Sequence, residues 1–171
     1  MVNRIASATL AIAFALIAVQ AQTADAQVVP IKGSGTNSSY DPISGDYHGV
    51  GIASHMGQMS FSGNVVSNGK FFPAPGIFFS GTFVGKQTNT AANGDSYFLD
   101  ISGDVVLSID PVTGLVSGIW LVDWTITGGT GRFEGVTGAL KGAAINPPFN
   151  PLVTPWSFDW YFSGTMNLGK R

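Results

Sequence analysis

The sequence predicts an all-β fold, a closed antiparallel up-and-down barrel of about eight strands, and three observations predict it. From Tyr47 onward apolar and polar residues alternate with period two, the mark of strands with one buried and one wet face. After residue 26 no window repeats apolar residues at i, i+3, i+4 and i+7 for long enough to make a helix. An apolar-Ser-Gly step recurs as Phe61-Ser62-Gly63, Phe79-Ser80-Gly81, Ile101-Ser102-Gly103, Val116-Ser117-Gly118 and Phe162-Ser163-Gly164, each glycine sharing a face with the apolar residue two places before it. Glycine inside a strand marks a bulge, a bend or a close backbone approach, which is what a sheet needs to curl onto itself.

Taken in order, the chain opens on a signal-peptide pattern over residues 1–26. Arg4 is its basic residue, Ile5 to Val19 form an uncharged run, and Ala24-Asp25-Ala26 reads as a cleavage site ahead of Gln27. With no cysteine in 171 residues, the expected location is a bacterial periplasm or cell envelope, or the medium as a secreted protein, because small exported eukaryotic domains usually carry disulfides. Residues 27–45, rich in Gly, Ser, Asn and Thr, read as a flexible leader, and 46–171 as a single barrel domain. Its clearest strand is Tyr97 to Asp110, with Tyr97, Leu99, Ile101, Val105 and Leu107 on one face and Asp100, Ser102, Asp104 and Ser108 on the other. Trp156 to Ser163 is the second, with Trp156, Phe158, Trp160 and Phe162 in phase. Weaker strands are expected at Gly49–His55, Gln58–Val66, Ile77–Gly85, Leu115–Thr127 and Thr137–Ile145. Turn residues separate them at Ser67-Asn68-Gly69, Ala92-Asn93-Gly94-Asp95, Asp110-Pro111-Val112-Thr113-Gly114 and Gly128-Gly129-Thr130-Gly131. Antiparallel closure favours an even number of strands, so an eighth is expected within residues 36–46 or by division of a long strand.

Composition removes several functions. A net charge of -2 and a pI near 5.4 cannot supply the basic footprint of a nucleic-acid binder, and the missing cysteines exclude thiolate metal sites, redox motifs and thiol nucleophiles. No Gly-x-Ser-x-Gly elbow occurs, and the glycines of Gly129 to Gly135 do not fit a dinucleotide fingerprint, so no cofactor is implied. His48 and His55, seven residues apart, face opposite sides of an extended strand and cannot share a metal. After residue 26 the chain has one glutamate, Glu134. That shortage of acid and base groups argues against an enzyme.

One stretch carries a family likeness. Trp124-Thr125-Ile126-Thr127-Gly128-Gly129-Thr130-Gly131-Arg132-Phe133-Glu134-Gly135-Val136-Thr137-Gly138 resembles the GGTG-(R/K)-F-x-G signature of the allene oxide cyclase and dirigent barrel superfamily. Ala53-Ser54-His55-Met56-Gly57 and Thr90-Ala91-Ala92-Asn93-Gly94-Asp95 look like two further motifs of its secreted bacterial members. The resemblance implies an eight-stranded barrel with an apolar cavity, and related barrels are often homo-oligomers. Plant members cyclise a fatty-acid epoxide or steer phenoxy-radical coupling, but their catalytic acids lie outside the signature, and none can be placed on this chain.

Two sets of residues are candidates for binding. Trp120 and Trp124 share one strand face and Trp156 and Trp160 another, so each pair can line an interior that inward glycines at 63, 81, 103 and 164 would enlarge for an apolar or aromatic ligand. Strand parity places the other set, His55, Asn93, Asp95, Arg132 and Glu134, as a polar rim at one barrel end. Prolines crowd the loops of the opposite end, which read as rigid covers. The leading expectation is a noncatalytic barrel binding a small apolar ligand, ahead of a structural or surface-interaction barrel with a filled interior and of a cyclase or isomerase. No membrane span is expected once the signal is removed.

Overall fold

The computed structural model describes residues 27–169, so the signal-peptide expectation for 1–26 lies outside the described residues. Eight strands follow in order: β1 (Gln27–Tyr40), β2 (Asp46–Ala53), β3 (Gly57–Phe71), β4 (Ile77–Ala91), β5 (Ser96–Ile109), β6 (Val116–Gly129), β7 (Thr137–Phe149) and β8 (Trp156–Leu168). Each pairs antiparallel with its neighbours in sequence, and β1 also pairs with β8, which closes the barrel. The all-β, eight-stranded up-and-down barrel that the alternation predicts is the fold. Among the described residues no helix is long and apolar enough to cross a membrane.

Side-chain parity follows the sequence pattern. In β5, Tyr97, Leu99, Ile101, Val105 and Leu107 are buried while Asp100, Ser102 and Asp104 are exposed. In β8, Trp156, Trp160 and Phe162 are buried and Ser157, Asp159 and Tyr161 face outward.

Four expectations are corrected. Residues 27–40 are not a leader but the first strand, so the barrel domain begins at Gln27 rather than at 46. The inward positions of β1 read Val29, Ile31, Gly33, Gly35 and Asn37, and the two glycines at its centre contribute room rather than apolar bulk. A Cβ on Gly33 would stand 2.6 Å from Phe162 Cζ, and one on Gly35 2.5 Å from Trp160 Cζ2. Two aromatic rings of β8 lie over those glycines, and so the strand looks unlike one in sequence. Next, Ser67-Asn68-Gly69 is not a turn: it pairs with Phe83, Thr82 and Gly81 inside a long β3–β4 hairpin that reverses at Phe72–Gly76. The Phe79 ring covers Gly69, where a Cβ would meet its Cζ at 2.7 Å. β4 likewise runs through Lys86–Ala91, which the polar sequence had suggested was a connection. Finally, β7 continues past Ile145 to Phe149 and carries Pro147 and Pro148 where its register with β6 slips, a place where missing N–H donors are tolerated.

Up-and-down order puts the β2–β3, β4–β5 and β6–β7 connections at one end, here the clasped end, and the other four at the opposite, open end. A short 3-10 turn at Gly131–Phe133 closes the clasped end. Its Phe133 ring, 2% exposed, stands edge-on to Tyr97 at 5.6 Å and packs into the core beside Val136 and Met56.

Candidate functional site

The interior is built from aromatic rings laid over glycines. Trp160 stands edge-on to Phe61 at 5.2 Å and stacks parallel to Phe162 at 5.5 Å. Trp124 meets Phe162 at 5.8 Å, and Trp120 meets Phe83 at 5.1 Å and Tyr40 at 5.8 Å. All four tryptophans point inward, as their spacing predicts, and each is at least nine-tenths buried. The volume freed by the inward glycines is refilled by neighbouring strands. A Cβ on Gly63 would meet the Tyr47 hydroxyl at 2.5 Å, and one on Gly103 the Phe83 ring at 2.9 Å. What remains is a cavity of about 50 Å³ among Phe61, Ile101, Trp120, Trp124, Trp160 and Gln87. That is room for a few waters, not for the body of a drug-sized ligand.

One polar chain crosses this apolar interior. Tyr47 donates its hydroxyl to Gln87 Oε1 (2.8 Å), Gln87 Nε2 donates to Asn89 Oδ1 (2.6 Å), and Asn89 Nδ2 donates to the Tyr97 oxygen (2.8 Å). Bonding each buried group to the next offsets its desolvation. Burial keeps both phenols neutral: it pushes Tyr97 up to about 12, with the Asn89 bond acting against it, and raises Tyr47 further. The sequence reading missed Gln87 and Asn89 because it ended β4 at Gly85. Their signal was parity, since both continue the inward phase of Phe79 and Phe83.

The five rim candidates all fall at the clasped end. Arg132 joins two connections there, with Nε 3.6 Å from Asp95 Oδ2 and Nη2 donating to the Met56 carbonyl at 3.5 Å. Its guanidinium also lies 4.9 Å over the Phe133 ring. Asn93 donates to Asp95 Oδ2 (2.7 Å) and accepts from the Asp95 amide (3.2 Å). His55 sits in the β2–β3 turn at φ 67° and its Nε2 meets the Pro30 carbonyl of β1 at 3.0 Å. Gly131 holds a left-handed φ of 56° directly against the Asp95 carboxylate, which leaves no space for a side chain. Glu134 is exposed beside this group. Arg132 thus ties its connection to the β2–β3 and β4–β5 connections, with Asn93 bracing Asp95 and His55 fastening the β2–β3 turn to β1.

The open end is different. β2 has 8 residues against 15 in β3, so Val65–Phe71 of β3 find no partner on β2. The 41–45 loop folds over that edge, with the Val65 amide donating to the Gly45 carbonyl at 3.0 Å. Between loop and edge lies a mouth of about 270 Å³ whose walls include Pro42, Ile43, Ser67 and Phe78 and whose floor is Tyr40, Trp120 and Trp156. Tyr40, Val65 and Trp120 also line the interior cavity, so mouth and cavity share one wall. Trp120 is fully used: its Nε1 donates to Asn146 Oδ1 at 2.7 Å, and Asn146 Nδ2 donates to the Ser157 carbonyl at 2.8 Å. Trp156 is not. Its Nε1, like that of Trp160, is buried without a hydrogen-bond partner. The Tyr40 hydroxyl is kept neutral chiefly by burial.

The structure thus brings Trp120 and Trp156 to the mouth and Trp124 and Trp160 to the inner cavity, while the polar rim stands at the far end from both. No family model, curated protein or solved structure matches this chain.

Proposed function

We propose that this protein is an exported, noncatalytic binding barrel that takes a small apolar or aromatic molecule through its open end. The observation that carries this reading is the mouth of about 270 Å³ over Tyr40, Trp120 and Trp156. Its size stands near the lower limit of ordinary ligand pockets, roughly 300 Å³. Its floor offers aromatic faces against which a flat or apolar guest can pack. We further propose kinship with the allene oxide cyclase and dirigent barrels, on the motif from Trp124 to Gly138 and the eight-stranded closure.

Titration with N-phenyl-1-naphthylamine, a neutral apolar fluorophore, tests the binding reading. Ser67 lines the mouth from an exposed position on the inward phase of β3, against the Tyr40 hydroxyl, so Ser67→Trp fills the opening. Saturable binding that Ser67→Trp abolishes, with unfolding unchanged, supports the reading. Absence of saturable binding favours the second reading, a barrel with a structural role, for which the interior of only about 50 Å³ speaks.

A further inference from the structure

Three open-end connections repeat one device that the fold does not require. Asp41-Pro42-Ile43, Asp110-Pro111-Val112 and Asn150-Pro151-Leu152 each place an Asp or Asn before a proline and an aliphatic residue. In each, the side-chain oxygen of the first residue accepts the amide of the third, at 2.8, 2.8 and 3.0 Å. Proline fixes one dihedral of the turn and the side-chain bond fixes the next residue. The aliphatic side chain is thereby held out in water: Ile43 is 92%, Val112 90% and Leu152 91% exposed. The fourth connection presents Phe72, 64% exposed, ahead of Pro73. Packing accounts only for Phe72, which stands edge-on to Phe78 at 5.5 Å, whereas Ile43, Val112 and Leu152 are outside the core cluster.

The charges of the molecule identify what covers them. Loops 41–45, 72–76, 110–115 and 150–155 contain two ionisable side chains, Asp41 and Asp110, and no cation. Both carboxylates already accept bonds from their own turns, and those bonds hold the Asp110 carboxyl below its ordinary range. The clasped end, by contrast, carries Asp95, Arg132, Glu134 and His55. The open end therefore presents apolar tips beside two turn-bound carboxylates and one exposed cation, Lys70 near the end of β3, whereas the clasped end gathers both signs of charge around its loops. The tips are also separate knobs, divided by Ser44, Thr113, Thr154 and the mouth. A folded protein would need a matching hole for each tip, whereas a fluid phase conforms to them, and Asp41 and Asp110 outweigh the single Lys70 at this end, which leaves no net attraction for an anionic partner.

We infer that the open end docks on a neutral lipid surface, with Ile43, Phe72, Val112 and Leu152 entering the layer beneath the headgroups and the clasped end remaining in water. This goes beyond ligand binding in the mouth and does not depend on it. It also sets the mouth, whose wall includes Ile43, at the level of the lipid.

Vesicle flotation tests it, using residues 27–171, which hold all eight strands and omit the apolar Ile5–Val19 run. The protein is expected to float with pure phosphatidylcholine vesicles, equally in 0.1 and about 1 M salt, and without any gain from anionic lipid. Each of Ile43→Ser, Val112→Ser and Leu152→Ser should lower the partition coefficient about tenfold, and the triple variant should stay in the aqueous phase. Because these side chains are exposed, the triple variant keeps the native circular dichroism and melting temperature. Failure of the native chain to float, a requirement for anionic lipid, or flotation undiminished in the triple variant overturns the inference. So does a dimer that the triple variant converts to monomer while the native chain ignores vesicles, which would make a second copy the occupant. Flotation without naphthylamine binding, or the reverse, separates this inference from the proposed function.

Discussion

Adding one methyl group to β1 tests why that strand reads as a leader. In Gly33→Ala the new Cβ would stand 2.6 Å from Phe162 Cζ and 2.9 Å from both Phe162 Cε1 and the Ile52 carbonyl oxygen. Carbon atoms rest about 3.5–4.0 Å apart, so the ring must retreat by about 1 Å. It has nowhere to go, because it stacks parallel to Trp160 at 5.5 Å and meets Trp124 at 5.8 Å. Overpacking of this kind costs about 1–3 kcal/mol, and the lost flexibility of the unfolded chain returns about 0.4–1 kcal/mol. The net expected loss is about 0.5–2 kcal/mol. In a Phe162→Leu background the side chain no longer carries the Cε1 and Cζ atoms, so the same alanine should cost about 1 kcal/mol less, and the Ile52 contact, common to both backgrounds, cancels in the difference. Urea unfolding followed by tryptophan fluorescence measures all four proteins. With a slope of about 1–3 kcal/mol per molar urea, a coupling of about 1 kcal/mol moves the midpoint by about 0.3–1 M. Equal costs in the two backgrounds would refute the claim that Gly33 is there to seat the ring.

Further outcomes follow from the same packing. Trp160→Ala should lose about 3–5 kcal/mol in urea unfolding, whereas Asp104→Asn, on the outer face of β5, should stay within about 0.5 kcal/mol; a small loss at Trp160 would mean that its ring is not part of the core. At the clasped end Phe133→Ala should cost about 3–5 kcal/mol, but Arg132→Ala only about 1 kcal/mol or less, because the Asp95–Arg132 pair is 23% and 39% exposed; a reversal of that order would make the ion pair, not the plug, the closure. Stability should also fall in alkali. Burial raises Tyr97 to about 12 from the ordinary phenol value of 10.0, so its contribution is complete below the unfolded value and is lost as pH rises from about 10 through about 12, by up to about 1.4 kcal/mol per pH unit. Buried Tyr47, raised further, acts in the same direction. Absorbance at 295 nm should show these phenols ionising together with unfolding, and independent titration near 10 in folded protein would contradict their burial.

Strands whose inward positions are large and apolar were legible: in β5 and β8 every second residue announces the core. β1 was not, because its central inward positions, 33 and 35, are glycines whose space belongs to Phe162 and Trp160, residues more than a hundred positions away in sequence. A local pattern cannot display a cavity filled from elsewhere. The clasped-end half of β4 was hidden for a different reason, since Gln87 and Asn89 bond to each other along the strand and to Tyr47 and Tyr97 on β2 and β5, and their polarity mimics a loop. Parity placed His55, Asn93, Asp95 and Arg132 at one end, which the Arg132 contacts to Asp95 and the Met56 carbonyl confirm as geometry. It could not anticipate that Phe133 closes that end beneath them. The mouth depends on β2 being 7 residues shorter than β3, a length difference that becomes visible only when the register of both strands is known.

Native mass spectrometry of the protein, purified gently from cells that express it, tests the binding reading most directly. The account predicts a bound small molecule that dissociates on collisional activation and is missing from the Ser67→Trp variant, whose mouth is filled while its fold is intact. A native protein of bare chain mass that also gives no saturable response to N-phenyl-1-naphthylamine, or an adduct that Ser67→Trp retains in full, would contradict it.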